Sequence, residues 1–202
     1  MQITEAVVEK MRAIKAVITD VDGVLTDGTY PYGPEGEALK FFHTRDQVGL
    51  ELAAAAGWPV VVVSQRPGAM VEAWARDMGI EACLGVDDKR TCLKELAAKK
   101  KLKLEQVVYL GDDLLDLPAM DLCGLSAAPA DAAVLVRQKV DLVLSLEGGR
   151  GALRELVETV LERQGRLTEA LAAYYQAHGC KETGSKVPQE EPLKGAKIGF
   201  RR

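Results

Sequence analysis

Short hydrophobic segments alternate with helical segments along most of the chain. The hydrophobic segments have the length and composition of buried strands, and they cover 15–21, 58–64, 80–85, 106–113, 124–129 and 140–145. The helical segments cover 4–14, 46–57, 68–79, 87–101, 114–123 and 130–138, and a last helical region runs from about 151 to about 175 with a break near Gly165. This alternation predicts an α/β, Rossmann-like fold in which helices cover both faces of a parallel sheet.

The segment 24–43 interrupts the alternation directly after the first strand. It is rich in Gly, Pro and Tyr, and its turn residues separate two short extended pieces. That pattern predicts a β-hairpin whose tip is YGPEGE at 32–37. Tyr30 and Tyr32 lie near this tip, and we expect them to contact another subunit rather than a ligand.

Length and composition indicate a single domain of ordinary globular character. The chain has 202 residues, 26 Lys and Arg against 30 Asp and Glu, and a net charge of −4. We therefore expect one domain at 1–178, and a polar, aperiodic segment at 179–202 that is disordered unless a partner subunit orders it. The charge balance favours neither nucleic acid nor a membrane as a partner.

Nothing in the sequence indicates export or insertion into a membrane. No apolar run is long enough for a transmembrane helix, and the N-terminal segment 1–15 is amphipathic without the apolar core of a signal peptide. The cysteines lack metal-ligand spacing and are expected to be reduced thiols. The sequence thus predicts a cytoplasmic protein.

Polar side chains follow four of the predicted strands. In chain order they are Asp20 and Asp22, then Ser64, then Lys89, then Asp112 and Asp113. Because ligands bind outside the carboxyl ends of the strands in open α/β sheets, we expect these groups to converge. Carboxylates so close together raise one another's pKa unless a cation lies between them. Oxygen ligands favour a hard cation, and Mg²⁺ is the expected ion.

This set of groups suits phosphoryl transfer. One carboxylate can attack phosphorus and form an aspartyl phosphate, while a metal ion and a lysine neutralise the phosphoryl oxygens. A second carboxylate can protonate the leaving oxygen and later deprotonate the attacking water. Residues i and i+2 of an extended strand share a face, so Asp20 and Asp22 would point at the same substrate if the chain stays extended.

Each of these residues taken alone has an ordinary structural interpretation. A single Asp at a strand end is more often a turn or helix-cap residue than a catalytic one, and Asp27 is expected to be a turn residue. It is the joint set that favours catalysis. His43 and His178 are the only histidines, and neither is expected to have a catalytic role.

Four motifs in order resemble those of the haloacid dehalogenase-like phosphatases. They are DVDGVLTDG, VVVSQR, DDK and GDDLLDLPAM. The hairpin, the KFFHTRD stretch at 40–46, the GLS strand, the ADA turn around Asp131 and the GGRGALRE segment at 148–155 are similar to one capless branch, the 3-deoxy-D-manno-octulosonate 8-phosphate phosphatases. The resemblance spans about residues 8–165 and implies that the chain has no separate cap domain.

The resemblance also implies roles for individual residues. Asp20 resembles the nucleophile and a metal ligand, and Asp22 the general acid/base, whose backbone carbonyl also binds Mg²⁺. Ser64 and Lys89 resemble the groups that hold the phosphoryl oxygens, and Asp112 the remaining metal ligand. Asp113 and Asp116 are expected to orient metal-bound waters or Lys89.

Members of this branch are tetramers in which a neighbouring subunit closes the site, so a homotetramer is expected. Candidates for contacts with the substrate are Gln65, Arg66, Arg45 and Arg150. The arginines suit a sugar-acid carboxylate, and ion pairing at a subunit interface or on the surface is an equal alternative for them. The implied substrate is 3-deoxy-D-manno-octulosonate 8-phosphate, on the route to lipopolysaccharide. A nonulosonate 9-phosphate is an alternative within the same class.

Two departures from the branch leave other functions open. Gln65 stands where the second motif usually has Gly, and Gln47 stands where many relatives have the Gly of RDG; both could reshape the substrate site. A catalytically weak oligomerisation scaffold of the same fold is therefore an alternative. A phosphoryl-accepting switch resembling a receiver domain is another, although receivers lack the D-x-D acceptor on the first strand.

Overall fold

The computed structural model describes residues 3–180, which form a three-layered α/β fold. The strands are β1 Ala16–Thr19, β2 Tyr32–Gly33, β3 Gly36–Glu37, β4 Val60–Ser64, β5 Glu81–Leu84, β6 Val107–Leu110, β7 Leu125–Ala128 and β8 Leu142–Val143. The helices are α1 Glu5–Ala13, α2 Thr44–Ala55, α3 Ala69–Asp77, α4 Lys89–Lys99, α5 Leu117–Met120, α6 Val134–Lys139, α7 Ala152–Arg163 and α8 Leu167–Ala177. A 3-10 turn at Leu104–Gln106 precedes β6.

A six-stranded sheet with the order β5-β4-β1-β6-β7-β8 forms the middle layer. All of its strand pairs are parallel, and β1 lies between β4 and β6. The chain builds outwards from β1 to one edge and then returns to build the other edge. The strand order therefore reverses at β1, and the crevice at its carboxyl end is where an open α/β sheet binds ligands.

Helices cover both faces of this sheet, as the sequence predicts. Val17 of β1 faces a core that includes Leu52 of α2 and Leu156 of α7. Ile18, its neighbour, faces a second core that includes Leu93 of α4 and Val136 of α6. Because both faces of the strands are buried, the strands are continuous apolar runs rather than alternating ones.

The element boundaries follow local turn chemistry. Helices α2, α3 and α7 are followed by Gly57, Gly79 and Gly165, each with a positive φ that a residue with a side chain adopts less readily. Gly165 separates α7 from α8 and confirms the predicted break. Helix α6 begins at Val134, later than predicted, since the ADA residues form a turn.

The predicted hairpin is present but has little regular structure. Only Tyr32–Gly33 and Gly36–Glu37 pair, so the tip lies within 32–37 as predicted. The rest of 24–43 is turn and coil. This excursion is the only insertion of its kind in the described sheet, and residues 3–180 contain no separate cap domain.

No helix within residues 3–180 is long and apolar enough to cross a membrane. Of the polar segment 179–202 that is predicted to be disordered, residues 181–202 lie outside the described residues.

Candidate active site

A pocket of about 340 Å³ lies at the carboxyl ends of the central strands. The predicted site residues that line it are Asp20, Asp22, Ser64, Gln65, Arg66, Lys89, Asp112, Asp113 and Asp116. They come from the ends of β1, β4 and β6 and from the start of α4. The structure thus brings the four sequence motifs to one place.

The first aspartate is fixed where β1 ends. The Asp20 backbone N–H donates to Leu110 O at 2.9 Å, which continues the pairing of β1 with β6. The Asp20 side chain accepts a hydrogen bond from the backbone N–H of Val21 at 2.7 Å. The chain then turns from Asp22 onwards instead of staying extended, yet Asp22 still lines the same pocket as Asp20.

Lys89 joins the first and fourth motifs. Asp88 caps α4 by accepting from two backbone N–H groups, so the helix begins at Lys89. The buried ammonium group of Lys89 lies 2.9 Å from Asp20 Oδ2 and 2.7 Å from Asp116 Oδ1. Burial lowers the pKa of Lys89, but the carboxylates of Asp116 and Asp20 outweigh that effect and raise it. Lys89 is therefore a fixed cation.

Asp116 is a positioning group with both oxygens engaged. Its Oδ1 accepts from Lys89 and, at 3.0 Å, from the hydroxyl of Tyr109. Its Oδ2 accepts from the backbone N–H groups of Asp112 and Asp113 at 3.0 and 3.2 Å. Asp116 thereby holds both the lysine and the loop that carries Asp112. The exposed Asp113 side chain instead accepts from Leu114 N.

Asp112 is the carboxylate that lacks a partner. Its Oδ1 is buried and, within residues 3–180, has no hydrogen-bond partner. Burial and the neighbouring acids Asp116 and Asp20 raise the pKa of Asp112 to about 8. Oxygens of Asp20, Asp112 and Asp116 lie within 4.8 Å of one another. An unpartnered buried carboxylate oxygen beside other acids fits a divalent hard cation such as Mg²⁺.

Gly23 is required for this close approach. A Cβ atom at this position would lie 2.0 Å from Asp112 Oδ2, and Gly23 also has a φ of +82°. The glycine of the DVDG motif therefore lets the turn after β1 pass over Asp112.

The pKa of the nucleophile candidate is raised as well. Burial and the charge of Asp116 raise the pKa of Asp20 to about 6, while Lys89 opposes them. One lysine thus does not fully compensate the acids of the pocket, and a bound cation completes the charge balance.

The second motif forms a tight turn after β4. The buried Ser64 hydroxyl accepts from the backbone N–H of Arg66 at 3.2 Å. Gln65 lines the pocket without a positive φ, since Lys101 is the one non-glycine residue with a positive φ within residues 3–180. Gln47 lies in α2, donates to Glu51 at 3.1 Å and does not line the pocket. Neither glutamine strains the backbone.

The hairpin segment contributes Lys40, which the sequence analysis missed, and Tyr30, which it assigned to a subunit contact and not to the pocket. Tyr30 lines the pocket, and its ring lies 3.9 Å from the guanidinium carbon of Arg66. Lys40 forms ion pairs with Asp22 and Glu37. The available signal was the motif that begins at Lys40, but a turn-rich segment gives no indication of which side chains face inwards.

Arg45 and Arg150 do not line this pocket. Arg45 lines a separate depression beside α7, and Arg150 lies in another beside Asp27 and His43. His43 accepts from Arg45 N as the N-cap of α2. Asp27 accepts from Thr29 and is a turn residue, as expected.

The GGRG segment at 148–151 packs directly against the turn that follows β1 and carries Asp22. A Cβ atom at Gly148 would lie 2.0 Å from Gly23 O, and one at Gly149 would lie 2.5 Å from Asp27 N. Asp131 holds this segment by accepting from Gly148 N at 2.9 Å. Direct backbone contact thus fixes the turn that carries Asp22.

Comparison with known proteins gives close relatives over most of the chain. It is 44% identical over 159 residues to the 3-deoxy-D-manno-octulosonate 8-phosphate phosphatase of Haemophilus influenzae. The aligned region covers 78% of this chain and 88% of that protein. The cobalt-bound structure of that phosphatase has a TM-score of 0.77 to this structure at 44% identity, covering 79% of this chain and 94% of that one.

A second solved structure carries ligands. The Moraxella catarrhalis 3-deoxy-D-manno-octulosonate 8-phosphate phosphatase, in complex with magnesium ion, phosphate ion and KDO, has a TM-score of 0.80 at 32% identity. The match covers 85% of this chain and 99% of that chain. No protein-family model matches the chain.

Proposed function

This chain belongs to the 3-deoxy-D-manno-octulosonate 8-phosphate phosphatases of the haloacid dehalogenase-like superfamily, and from that membership we propose how its residues hydrolyse this phosphomonoester. The observation that carries the proposal is the convergence of Asp20, Lys89 and the unpartnered Asp112 oxygen in one pocket. These are the groups that phosphoryl transfer to a carboxylate requires.

Asp20 is the nucleophile. Its Oδ1 accepts from Val21 N and its Oδ2 contacts Lys89, so the carboxylate is held in one orientation at the end of β1. Attack by Asp20 on phosphorus forms an aspartyl phosphate and releases the sugar alkoxide. Water then attacks phosphorus, the bond between phosphorus and the Asp20 oxygen breaks, and inorganic phosphate leaves with Asp20 regenerated.

Asp22 moves the protons. It protonates the leaving alkoxide in the first step, and the resulting carboxylate accepts a proton from the attacking water in the second. Asp22 reaches the pocket from the turn after β1, which Gly148 and Gly149 support. The acid and the nucleophile therefore come from the same short stretch of backbone.

Lys89 and Ser64 hold the phosphoryl oxygens, and Asp116 keeps Lys89 in place. Asp20, Asp112 and the backbone carbonyl of Asp22 would hold Mg²⁺. When bound, Mg²⁺ neutralises charge on the carboxylates and on the transferring phosphoryl group. Asp113, at the exposed rim of the pocket, would orient metal-bound water.

Arg66 and Gln65 lie where they can contact the sugar portion of the substrate. Arg45 and Arg150 face other depressions, so their contact with substrate requires the site of a neighbouring subunit. We assign the protein a homotetrameric state, with the hairpins in subunit contacts. The pocket is open to solvent in one chain, and a neighbour would exclude water from it.

The proposed setting is lipopolysaccharide precursor synthesis in the cytoplasm. Residues 1–178 form the single catalytic domain in this proposal. The partner molecules are the sugar-acid phosphate and the other copies of the chain, with no role for nucleic acid or a membrane.

Phosphate release from a panel of sugar phosphates tests the function. The panel contains 3-deoxy-D-manno-octulosonate 8-phosphate, a nonulosonate 9-phosphate and common hexose phosphates, each with and without Mg²⁺. We expect Mg²⁺-dependent release that is fastest with the octulosonate, and loss of about 10⁴-fold or more in Asp20→Asn. Faster release from the nonulosonate would change the substrate, and no release from any compound would favour the scaffold alternative.

A further inference from the structure

Among the residues that the structure describes, the carboxylate of Asp22 has one partner, and that partner comes from the hairpin segment. Lys40 donates to Asp22 Oδ1. Within residues 3–180, no backbone N–H and no other side chain donates to this carboxylate. By contrast, Asp20 and Asp116 are held by several donors. The orientation of Asp22 therefore depends on Lys40.

Lys40 is itself tightly held. Its side chain is only 3% exposed, and its ammonium group lies 2.7 Å from Glu37 Oε1. The ammonium also lies 5.1 Å from the centroid of the Tyr30 ring, which shields it from solvent. Water cannot easily replace such a buried ion pair, because separating its members leaves a desolvated charge.

Lys40 lies between two carboxylates, because its ammonium group contacts both Asp22 Oδ1 and Glu37 Oε1. Glu37 restricts the position of the ammonium group, so Lys40 can fix the orientation of the Asp22 carboxyl group.

From these contacts we propose that Lys40 is a positioning residue, held by Glu37, that orients the Asp22 carboxyl group for proton transfer to the leaving group. The inference rests on the proposed function, since it concerns the acid of that reaction. It also gives the hairpin a task within its own subunit: the segment that includes β2 and β3 sets the geometry of the catalytic acid.

The dependence of kcat/KM on the leaving group distinguishes a role of Lys40 in proton transfer from a purely structural role. The octulosonate 8-phosphate leaves as an alkoxide and needs a proton, whereas p-nitrophenyl phosphate leaves as a stable phenolate and does not. The parameter kcat/KM includes only steps up to the first phosphoryl transfer. A defect in the position of Asp22 therefore lowers kcat/KM for the sugar phosphate much more than for the aryl phosphate.

We expect Lys40→Met to lower kcat/KM about 10²-fold with the sugar phosphate and less than about 5-fold with p-nitrophenyl phosphate, given the usual size of general-acid effects. Asp22→Asn should show the same selectivity, and Lys40→Met should add little in the Asp22→Asn background. Lys40→Arg, which keeps the cation, should recover part of the activity. Thermal melting would establish that each variant is folded.

Lys10→Met is the control, because Lys10 lies on α1, forms an ion pair with Asp141 before β8 and does not line the pocket. This variant should hydrolyse both substrates at the wild-type rate. Equal losses of kcat/KM with the two substrates would overturn the inference, because Lys40 would then serve the packing of the hairpin segment. A rise in KM with kcat unchanged would also overturn it, because Lys40 would then serve substrate binding. Unchanged kinetics in Lys40→Met would also overturn it. Failure of the wild type to hydrolyse the sugar phosphate would instead overturn the proposed function.

Discussion

Among single residues, Asp112 shows how much the pocket depends on a cation. Its buried Oδ1 has no partner within residues 3–180, although the other acids beside it are engaged by Lys89 or by backbone N–H groups. A carboxylate in this position costs folding free energy unless it is protonated or bound to a metal ion. Without a bound cation, Asp112 therefore lowers the stability of the folded protein, and its oxygen stays available as a metal ligand.

Replacement of Asp112 by Asn should stabilise the metal-free protein at neutral and alkaline pH. The pKa of Asp112 is raised to about 8, so the folded state holds this proton more tightly than the unfolded chain does. The stability that this group contributes is full below about pH 4 and is lost as the pH rises through about 8. The Tm of the metal-free wild type should therefore fall over that interval, and Asp20, with a pKa of about 6, adds to the slope.

Melting curves in chelator and in Mg²⁺, from about pH 5 to about pH 9, provide the measurement. In chelator Asp112→Asn should flatten the fall, and each kcal/mol regained should raise the Tm by about 2–4 °C. Mg²⁺ should stabilise the wild type most at high pH and Asp112→Asn little. Identical pH slopes in chelator would contradict the pKa assigned to Asp112.

The sequence predicts the position of a site residue when that residue lies at the end of a predicted strand. Asp20, Ser64 and Asp112 directly follow apolar runs, so parallel pairing alone brings them together. Lys40 has no such guide, because it follows a segment in which only four residues are in strands. Its contact with Asp22 depends on a turn-rich path that periodicity does not describe.

Among the elements, the first turn of α7 is capped by an acidic side chain of α2, a helix that is far from it in sequence but packs against it. Asp46 of α2 is 1% exposed, and it accepts from Gly151 N and Leu153 N at 3.1 and 3.0 Å. These N–H groups belong to the first turn of α7, which lacks a side-chain cap of its own. The partners are 105 and 107 residues apart. No local capping pattern could have predicted this contact, although its acid is the last residue of the KFFHTRD stretch at 40–46.

Removal of this cap should destabilise the fold without altering the pocket chemistry. Asp46→Ala leaves buried N–H groups without an acceptor and should lower the free energy of unfolding by about 2–4 kcal/mol. Asp46→Asn keeps an acceptor oxygen and should lose less. Denaturant titration of the variants measures the difference.

Glu158→Ala is the control for this prediction, because Glu158 is an acid on the surface of the same helix, paired with Arg154. Surface pairs of this kind contribute about 0–1 kcal/mol. If Asp46→Ala were no more damaging than Glu158→Ala, the cap would not stabilise α7.

The loop before α7 supports the catalytic turn through backbone contact. Gly148→Ala would place a Cβ atom 2.0 Å from Gly23 O. Because the Cβ atom is attached directly to the backbone and Gly23 O is a backbone atom, no side-chain rotation relieves the contact. The turn after β1 must shift, and kcat should fall about 10–10²-fold. Gly68→Ala is the matched control, because the nearest atom to its Cβ is Val71 Cγ2 at 3.8 Å. Steady-state kinetics of both variants would test this, and a fully active Gly148→Ala would show that the turn does not need this support.

At the scale of the whole molecule, the pocket is open where enzymes with a cap domain would be covered. Three residues of the hairpin segment, which also contributes Tyr30 to the pocket, are apolar and exposed: Tyr32 is 78%, Leu39 53% and Phe41 64% exposed. Several exposed apolar residues in one segment are typical of a subunit contact. The alternation of the sequence predicted a parallel sheet with helices on both faces, but it gave no strand order. Contacts between copies of the chain would leave only this exposed apolar surface as a signal.

Disruption of the hairpin surface should separate the subunits and lower activity together. Tyr32→Asp combined with Phe41→Asp places charges in the expected contact, where they would be desolvated. We expect a smaller species by sedimentation velocity and a fall in kcat/KM of about 10-fold or more, since water then enters the pocket and the neighbour's arginines are lost. Melting temperature serves as the check on folding.

A charge on a comparable but separate apolar residue distinguishes this effect from a general loss of solubility or stability. Leu135 in α6 is 56% exposed, close to Phe41 in exposure and chemistry, and lies outside the hairpin. Leu135→Asp should keep the wild-type sedimentation coefficient and rate. A hairpin variant that sediments as a monomer yet hydrolyses the substrate at the wild-type rate would show that one chain excludes water by itself. In that event Arg45 and Arg150, which line other depressions of their own subunit, could have no part in the reaction.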